Sequence, residues 1–161
     1  MIHKSQIVSV RRFALATLVL ALGVAAARPA AADPHCRTRH GSVSIQIFSD
    51  GTCTSAVGLC ATVTFRGGLR GESQFVGTSL VPTVDVAATG VVLLTGDNHI
   101  HTNDGDLFTK DAIVFNTTGD GEFAEVDTIV GGTGDFAGAT GRQIAHGANN
   151  EGTFEIEICK P

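Results

Sequence analysis

The sequence predicts an all-β protein, folded as an eight-stranded antiparallel closed β-barrel, and three observations lead to this class. First, alternating or β-branched runs bounded by Gly, Asn and Asp recur along the chain after residue 32. Second, this part of the sequence shows no sustained apolar stripe at the i, i+3, i+4 spacing of a helix. Third, two cysteines lie at its ends, where a disulfide would join the first strand to the last. A closed barrel has no exposed strand edges, whereas a β-sandwich of the same strands is the alternative.

The first 32 residues have the layout of a cleaved secretory signal peptide. A basic stretch ending at Arg12 precedes an apolar run at 13–27, and small residues follow up to Ala32. The apolar run is shorter than the roughly 20 residues of a membrane span, and no second apolar segment follows it. We therefore expect a secreted protein, extracellular or periplasmic, with one β-barrel domain at 33–161 and no membrane association.

The charge balance excludes some partners. Four of the 11 basic residues lie in the expected signal peptide, which leaves seven basic against 16 acidic residues and a net charge of −9. Such an acidic surface repels nucleic acid and anionic lipid, since both attract proteins through clusters of Lys and Arg. The sequence therefore predicts no nucleic-acid partner.

All four cysteines lie in the expected mature domain, and an even number in an oxidising compartment indicates disulfides. Four cysteines allow three connectivities, and no Cys-x-x-Cys spacing suggests a metal site. Cys53 and Cys60 flank a short loop, while Cys36 and Cys159 lie at the two ends of the domain. We expect the pairs Cys53–Cys60 and Cys36–Cys159, the second of which requires the ends of the domain to meet.

Eight runs have the pattern of strands. In the last run, TFEIEIC, Phe154, Ile156 and Ile158 point to one face while two glutamates point to the other. The same alternation predicts one buried face at 43–47 and another at 61–65. Turn signals rich in Gly, Asn and Asp fill the gaps between runs. In order, the predicted strands cover residues 41–48, 60–66, 69–80, 89–102, 106–116, 121–130, 140–147 and 152–159.

The segment GGTGDFAGATG, at 131–141, is rich in glycine but does not have the pattern of a nucleotide site. A dinucleotide fingerprint opens a helix after a strand, and a phosphate-binding loop needs Gly-Lys-Ser/Thr at its end. Here no lysine follows, and the next residues lead into another strand. The segment therefore predicts a turn with positive φ angles, in which Phe136 is a buried plug.

The same region resembles a known family. IVGGTGDFAGATG, at 129–141, is similar to a segment that dirigent proteins and plant allene oxide cyclases carry between two late strands. The preceding GDGEFAEVDT resembles exported bacterial proteins of the allene-oxide-cyclase-like group. The resemblance implies an eight-stranded barrel whose hydrophobic lumen holds a small hydrophobic molecule while it cyclises or couples, without a cofactor. The chain has no Tyr and no Trp, so the resemblance carries over the fold but no catalytic residue.

One acidic residue lies in an otherwise apolar strand pattern. In LFTKDAIVF, Asp111 shares a face with Leu107, Ile113 and Phe115. If this face lines the lumen, those three apolar residues contact a ligand, and Asp111 is a desolvated carboxylate suited to proton transfer. If the opposite face lies inside, Asp111 is an ordinary surface charge. The sequence leaves both arrangements open.

Glu125 and Asp127 form a second acidic pattern, two carboxylates on one strand face. Such a pair can serve as acid and base. The opposite face, which carries Ala124, Val126 and Val130, is more uniformly apolar. We therefore expect the pair to face water.

Two histidines have a spacing that suits one metal ion. His99 and His101 lie on the same strand face, with Asp97 on that face too, and His146 is a third candidate from elsewhere in the chain. The preferred interpretation is that both are solvated histidines beside a turn, with no metal bound.

Three function classes follow from the sequence as a whole: a cyclase-like barrel acting on a small hydrophobic molecule, a non-catalytic lipocalin-like binding or structural barrel, and a metal enzyme through His99 and His101.

Overall fold

The computed structural model describes residues 35–82 and 90–161, which form one closed antiparallel barrel. Each strand pairs with its neighbours in sequence, and the last strand pairs with the first. The all-β class and the eight-stranded barrel are therefore confirmed, and the sandwich alternative is wrong. The expected signal peptide, 1–32, lies outside the described residues. The strands are β1 (His35–Phe48), β2 (Cys60–Gly67), β3 (Gly71–Pro82), β4 (Val91–Thr102), β5 (Gly105–Asn116), β6 (Phe123–Gly132), β7 (Thr140–Ala148) and β8 (Glu151–Lys160).

The strands alternate between the barrel interior and solvent. Val43, Phe65, Phe154 and Ile156 are all buried, as the alternation on the first, second and last strands predicts. The first strand differs from its predicted start, because it begins at His35 rather than at residue 41. Its six additional residues pair with the end of β8, which completes the closure of the barrel.

Two disulfides join the predicted cysteine pairs. Cys36 and Cys159 are directly opposite each other in the β1–β8 ladder, so their bond links the two strands at which the barrel closes. Cys53 and Cys60 close the loop that leads into β2. Both bonds are compatible with an extracellular location. No helix within 35–82 or 90–161 is long and apolar enough to cross a membrane.

One end of the barrel is filled by side chains around the glycine-rich segment. A three-residue 3₁₀ turn, Gly134–Phe136, places Phe136 inside, where only 1% of its surface is exposed. Gly134 has φ +55°, and a Cβ there would lie 2.6 Å from the carbonyl oxygen of Asp104. The predicted plug is confirmed, and the segment is a tight turn rather than the start of a phosphate-binding helix. The other fully buried apolar side chains at this end are Leu69, Ile100, Leu107 and Ile129.

The opposite end of the barrel, which we call the mouth, lies where β1 ends and β2 begins. The connecting loop is fixed to β3, since the Ser55 hydroxyl donates to the carbonyl oxygen of Gly77 at 2.6 Å. The Gly77 amide in turn donates to the carbonyl oxygen of Leu59 at 2.9 Å. The loop therefore forms part of the rim at the mouth.

We expect the two disulfides to differ in their effect on stability. Cys36–Cys159 spans 123 positions and Cys53–Cys60 only seven. In the chain-entropy account, a longer closed loop restricts the unfolded chain more, so removing the first bond should cost about 2 kcal/mol more than removing the second. Urea unfolding of C36A/C159A and C53A/C60A double variants measures the difference. Equal losses would contradict the chain-entropy account for these two bonds.

Candidate functional site

A cavity lies inside the barrel at the mouth end. Its walls are mainly apolar and come from β1 to β7, with Ile45, Val63, Phe75, Leu94 and Phe123 among the lining residues. The space open to the centres of water-sized molecules is about 70 Å³. Because one water molecule needs roughly 10–15 Å³ by this measure, the cavity holds several waters or a small ligand.

The three apolar residues expected to contact a ligand do not share one environment. Ile113 and Phe115 line the cavity, as the lumen interpretation of their strand face predicts. Leu107 lies on the same face and is fully buried, but it belongs to the packed end of the barrel. The difference arises because β5 runs from the packed end to the mouth, so residues of one face reach different depths.

Polar side chains separate the cavity from the packed end. They lie on four adjacent strands, β4 to β7, at matching positions in the ladders: Asn98 is opposite Thr109, and Asp127 is opposite both Asp111 and Gln143. We call this set the polar belt, and it consists of Asn98, Thr109, Asp111, Glu125, Asp127 and Gln143. Of these, Asn98, Glu125 and Gln143 reach the cavity.

Three carboxylates form the centre of the polar belt. Oxygens of Asp111, Glu125 and Asp127 all lie within 4.8 Å of one another, and we call these residues the carboxylate cluster. Asp111 is 4% exposed and Asp127 is 0% exposed, while Glu125 is half-buried at the cavity wall. Of the two arrangements open for Asp111, the structure has the interior one.

The expectation that Glu125 and Asp127 face water is wrong. Both point into the barrel, and the apolar face of β6 lies outside, where Val126 is 56% and Val130 is 54% exposed. Phe123 and Ile129 lie on the same strand face as the two carboxylates, and both are buried, which places that face inside.

The hydrogen bonds of the polar belt leave acceptor oxygens without donors. The Thr109 hydroxyl donates to Asp111, and the Gln143 amide nitrogen donates to Asp127 at 2.7 Å. Asp111 Oδ2 and Asp127 Oδ1 receive no hydrogen bond, and neither do the amide oxygens of Asn98 and Gln143. When all three carboxylates are ionised, the belt therefore has more acceptors than donors, and each proton that the cluster binds reduces this excess.

Burial raises the pKa of all three carboxylates. The pKa of Asp111 rises to about 6, because desolvation outweighs the hydrogen bond from the Thr109 hydroxyl. The pKa of Glu125 rises to about 8 and that of Asp127 to about 11, first through burial and then through the negative charge of neighbouring carboxylates. At neutral pH the cluster therefore combines an ionised carboxylate with protonated ones, which is the composition that acid–base chemistry needs.

The two histidines lie outside the barrel and share one carboxylate. His99 Nε2 is 3.2 Å from Asp106 Oδ2, and His101 Nδ1 is 2.6 Å from Asp106 Oδ1. Asp97, expected on the same face, instead pairs with Lys110. His146 lies on β7, with its nearest polar partner Thr153 at 3.5 Å. Within the described ranges, the carboxylate cluster is where three potential metal-ligating side chains come together.

Asn98 and Gln143 are site residues that the sequence analysis missed. Asn98 lies two positions before the buried Ile100, and Gln143 two positions before the buried Ala145. A period of two therefore places both amides in the interior, and this signal was available in the sequence.

Comparison with known proteins adds no relative: no protein-family model, curated protein or solved structure matches the chain. The chemistry of the site therefore has to be derived from the cavity and the polar belt.

The protonated state of Asp127 predicts a specific pH dependence of stability. Its pKa is raised in the folded chain from an ordinary value of 3.8, so the folded form binds the proton more tightly. The resulting stabilisation is complete below about pH 4 and decreases as the pH rises, by at most about 1.4 kcal/mol per pH unit. In Asp127→Asn nothing titrates at this position, so the melting temperature of the variant should rise relative to wild type between pH 5 and pH 9.

Thermal unfolding across this pH range tests the expectation. Asp120→Asn is the matched control, because Asp120 is exposed in the turn before β6. The control should show a constant offset from wild type. A constant offset in Asp127→Asn as well would contradict the raised pKa.

Proposed function

We propose that this protein is a secreted barrel that binds a small hydrophobic molecule in its cavity and steers an isomerisation or cyclisation of that molecule without a cofactor. The observation that carries the proposal is the position of the carboxylate cluster at the inner end of an apolar cavity. An apolar cavity with a few convergent polar groups and shifted pKa values is typical of a ligand site with chemistry.

Glu125 is the carboxylate placed to act on a ligand, since it lines the cavity. With its pKa raised to about 8, it carries a proton at neutral pH and is able to donate it to the bound molecule. Once Glu125 has given up this proton, its own carboxylate accepts a proton from another atom of the same molecule. The ligand keeps its composition and the cluster returns to its starting protonation state, which is the balance of an isomerisation.

Asp111 and Asp127 act through Glu125. Both lie behind it in the polar belt, and the negative charge of Asp111 contributes to the raised pKa of Glu125. Asp127 holds a proton most tightly and is itself fixed by the amide of Gln143. Asp111 and Asp127 are therefore positioning residues, which determine how many protons the cluster holds at a given pH.

The apolar walls supply the second part of the proposed activity. Rings of Phe75, Phe115 and Phe123 line the cavity together with aliphatic side chains. A rigid apolar cavity restricts a flexible ligand to few conformations, and holding reacting atoms together is a large part of catalysis in reactions without a cofactor. A ligand that fills the cavity displaces water from the proton-transfer site.

Two sequence features support the proposed class and location. The resemblance at 129–141 to dirigent proteins and allene oxide cyclases implies a barrel with a hydrophobic lumen used for such reactions. The layout of residues 1–32, together with two disulfides, supports secretion.

The proposal is tested with the molecule that the protein carries. Protein purified from its native source is denatured, and released small molecules are identified by mass spectrometry and then offered to the purified protein as substrate. Glu125→Gln should retain binding but lose roughly 10²- to 10⁴-fold in turnover rate, because the general acid is removed. Asp111→Asn should move the alkaline limb of the pH–rate profile to lower pH, since the pKa of Glu125 falls.

Glu122→Gln is the control, because Glu122 is an exposed carboxylate close to the start of β6. It should leave rate and binding unchanged. Unchanged turnover in Glu125→Gln would refute proton transfer by the cluster. A molecule that binds but is converted by none of the proteins would indicate a non-catalytic, lipocalin-like carrier.

A further inference from the structure

The inner end of the cavity is lined by carboxyl and amide side chains. Four polar side chains line the cavity, with Asn150 at the mouth and Asn98, Glu125 and Gln143 at the inner end. Among the described residues that line it, none is a lysine, arginine or histidine. Glu125 brings a carboxylate to the wall, and Asp111 and Asp127 add two more directly behind it.

Two amide side chains at the inner end also have an oxygen atom that accepts no hydrogen bond. Asn98 is 6% exposed and Gln143 is 2% exposed, yet the side-chain oxygen of each receives no hydrogen bond. The amide nitrogen of Gln143 is already used, since it donates to Asp127. Buried acceptors without donors are costly to a fold. A ligand with N–H groups is able to supply donors to these two oxygens.

We propose that the cavity binds a primary amine with an apolar body, the ammonium group lying against Glu125 and the polar belt and the body filling the apolar half towards the mouth. This inference rests on the proposed function, because it takes the cavity as the ligand site. An ammonium group brings three N–H donors and no acceptor, together with a positive charge that complements the carboxylates. The acidic surface of the expected mature chain attracts such a cation in solution.

The surroundings favour an organic cation over a metal ion. A metal ion would be held by the oxygens alone and would leave the apolar walls of the cavity without an occupant. The N–H group that Gln143 directs at Asp127 also repels a cation placed among the carboxylates, whereas it does not obstruct an ammonium in the cavity at Glu125. An anionic ligand is disfavoured by the three carboxylates.

Binding of the amine has a proton balance that can be measured. The ammonium group binds with its charge, and Glu125 becomes ionised to pair with it. The proton that Glu125 held is released to solvent, while Asp111 and Asp127 are the other titratable groups that face it. Calorimetry in two buffers of different ionisation enthalpy counts the released protons.

The test compares three probes of equal chain length on the full mature protein: hexylamine, hexan-1-ol and hexanoate. Titration calorimetry and thermal shift measure their binding at pH 7. Hexylamine should bind at least ten-fold more tightly than hexan-1-ol and release protons, and hexanoate should not bind. Glu125→Gln should abolish the preference for the amine while leaving binding of the alcohol unchanged, and Glu122→Gln should behave as wild type.

The outcomes separate this inference from the proposed function. If hexan-1-ol binds as tightly as hexylamine, the amine inference fails while the cavity remains a site for apolar ligands. If none of the three probes binds, both the inference and the proposed ligand site fail. If Ca²⁺ or Mg²⁺ stabilises the protein and displaces hexylamine, the polar belt is a metal site and the inference is overturned.

Discussion

The pairing of β1 with β8 is the interaction on which the rest of the structure depends. Ten residue pairs, from His35 opposite Lys160 to Ser44 opposite Glu151, convert an open eight-stranded meander into a closed barrel. Closure satisfies the backbone groups of two edges that would otherwise remain exposed. It also creates an interior, and only an enclosed interior gives a carboxylate such as Asp127 an environment without water.

The interior has two halves with different physical roles. Phe136 and its apolar neighbours fill one end and make it a conventional core. The other end stays open, because its lining side chains do not fill the space between β1 and β7. The polar belt lies at the boundary, so its charges are close enough to the cavity to act on a ligand and far enough from solvent to keep raised pKa values. Depth along the barrel axis thus separates the packed core from the proposed ligand site.

Sequence patterns predicted the fold better than the site. The alternation of Phe154, Ile156 and Ile158, the cysteines at the ends and the plug at Phe136 were enough to predict strands, closure and disulfides, because each depends on local pattern or on simple geometry. The carboxylate cluster depends on the register between β5 and β6, which neither strand encodes alone. Asp111 was recognised as a candidate, whereas Glu125 and Asp127 were assigned to the wrong face because their own strand is more apolar on the outside.

The reversed polarity of β6 changes which substitutions the strand tolerates. Val126 and Val130 are more than half exposed, so polar replacements there remove little buried apolar surface and should be close to neutral. Asp127 is fully enclosed with its pKa raised to about 11, so its contribution to stability depends on pH, whereas an amide of similar volume does not titrate. In β6, hydropathy is therefore a misleading guide to mutational sensitivity, and selection to keep Glu125 and Asp127 acidic would have to come from what the cavity does.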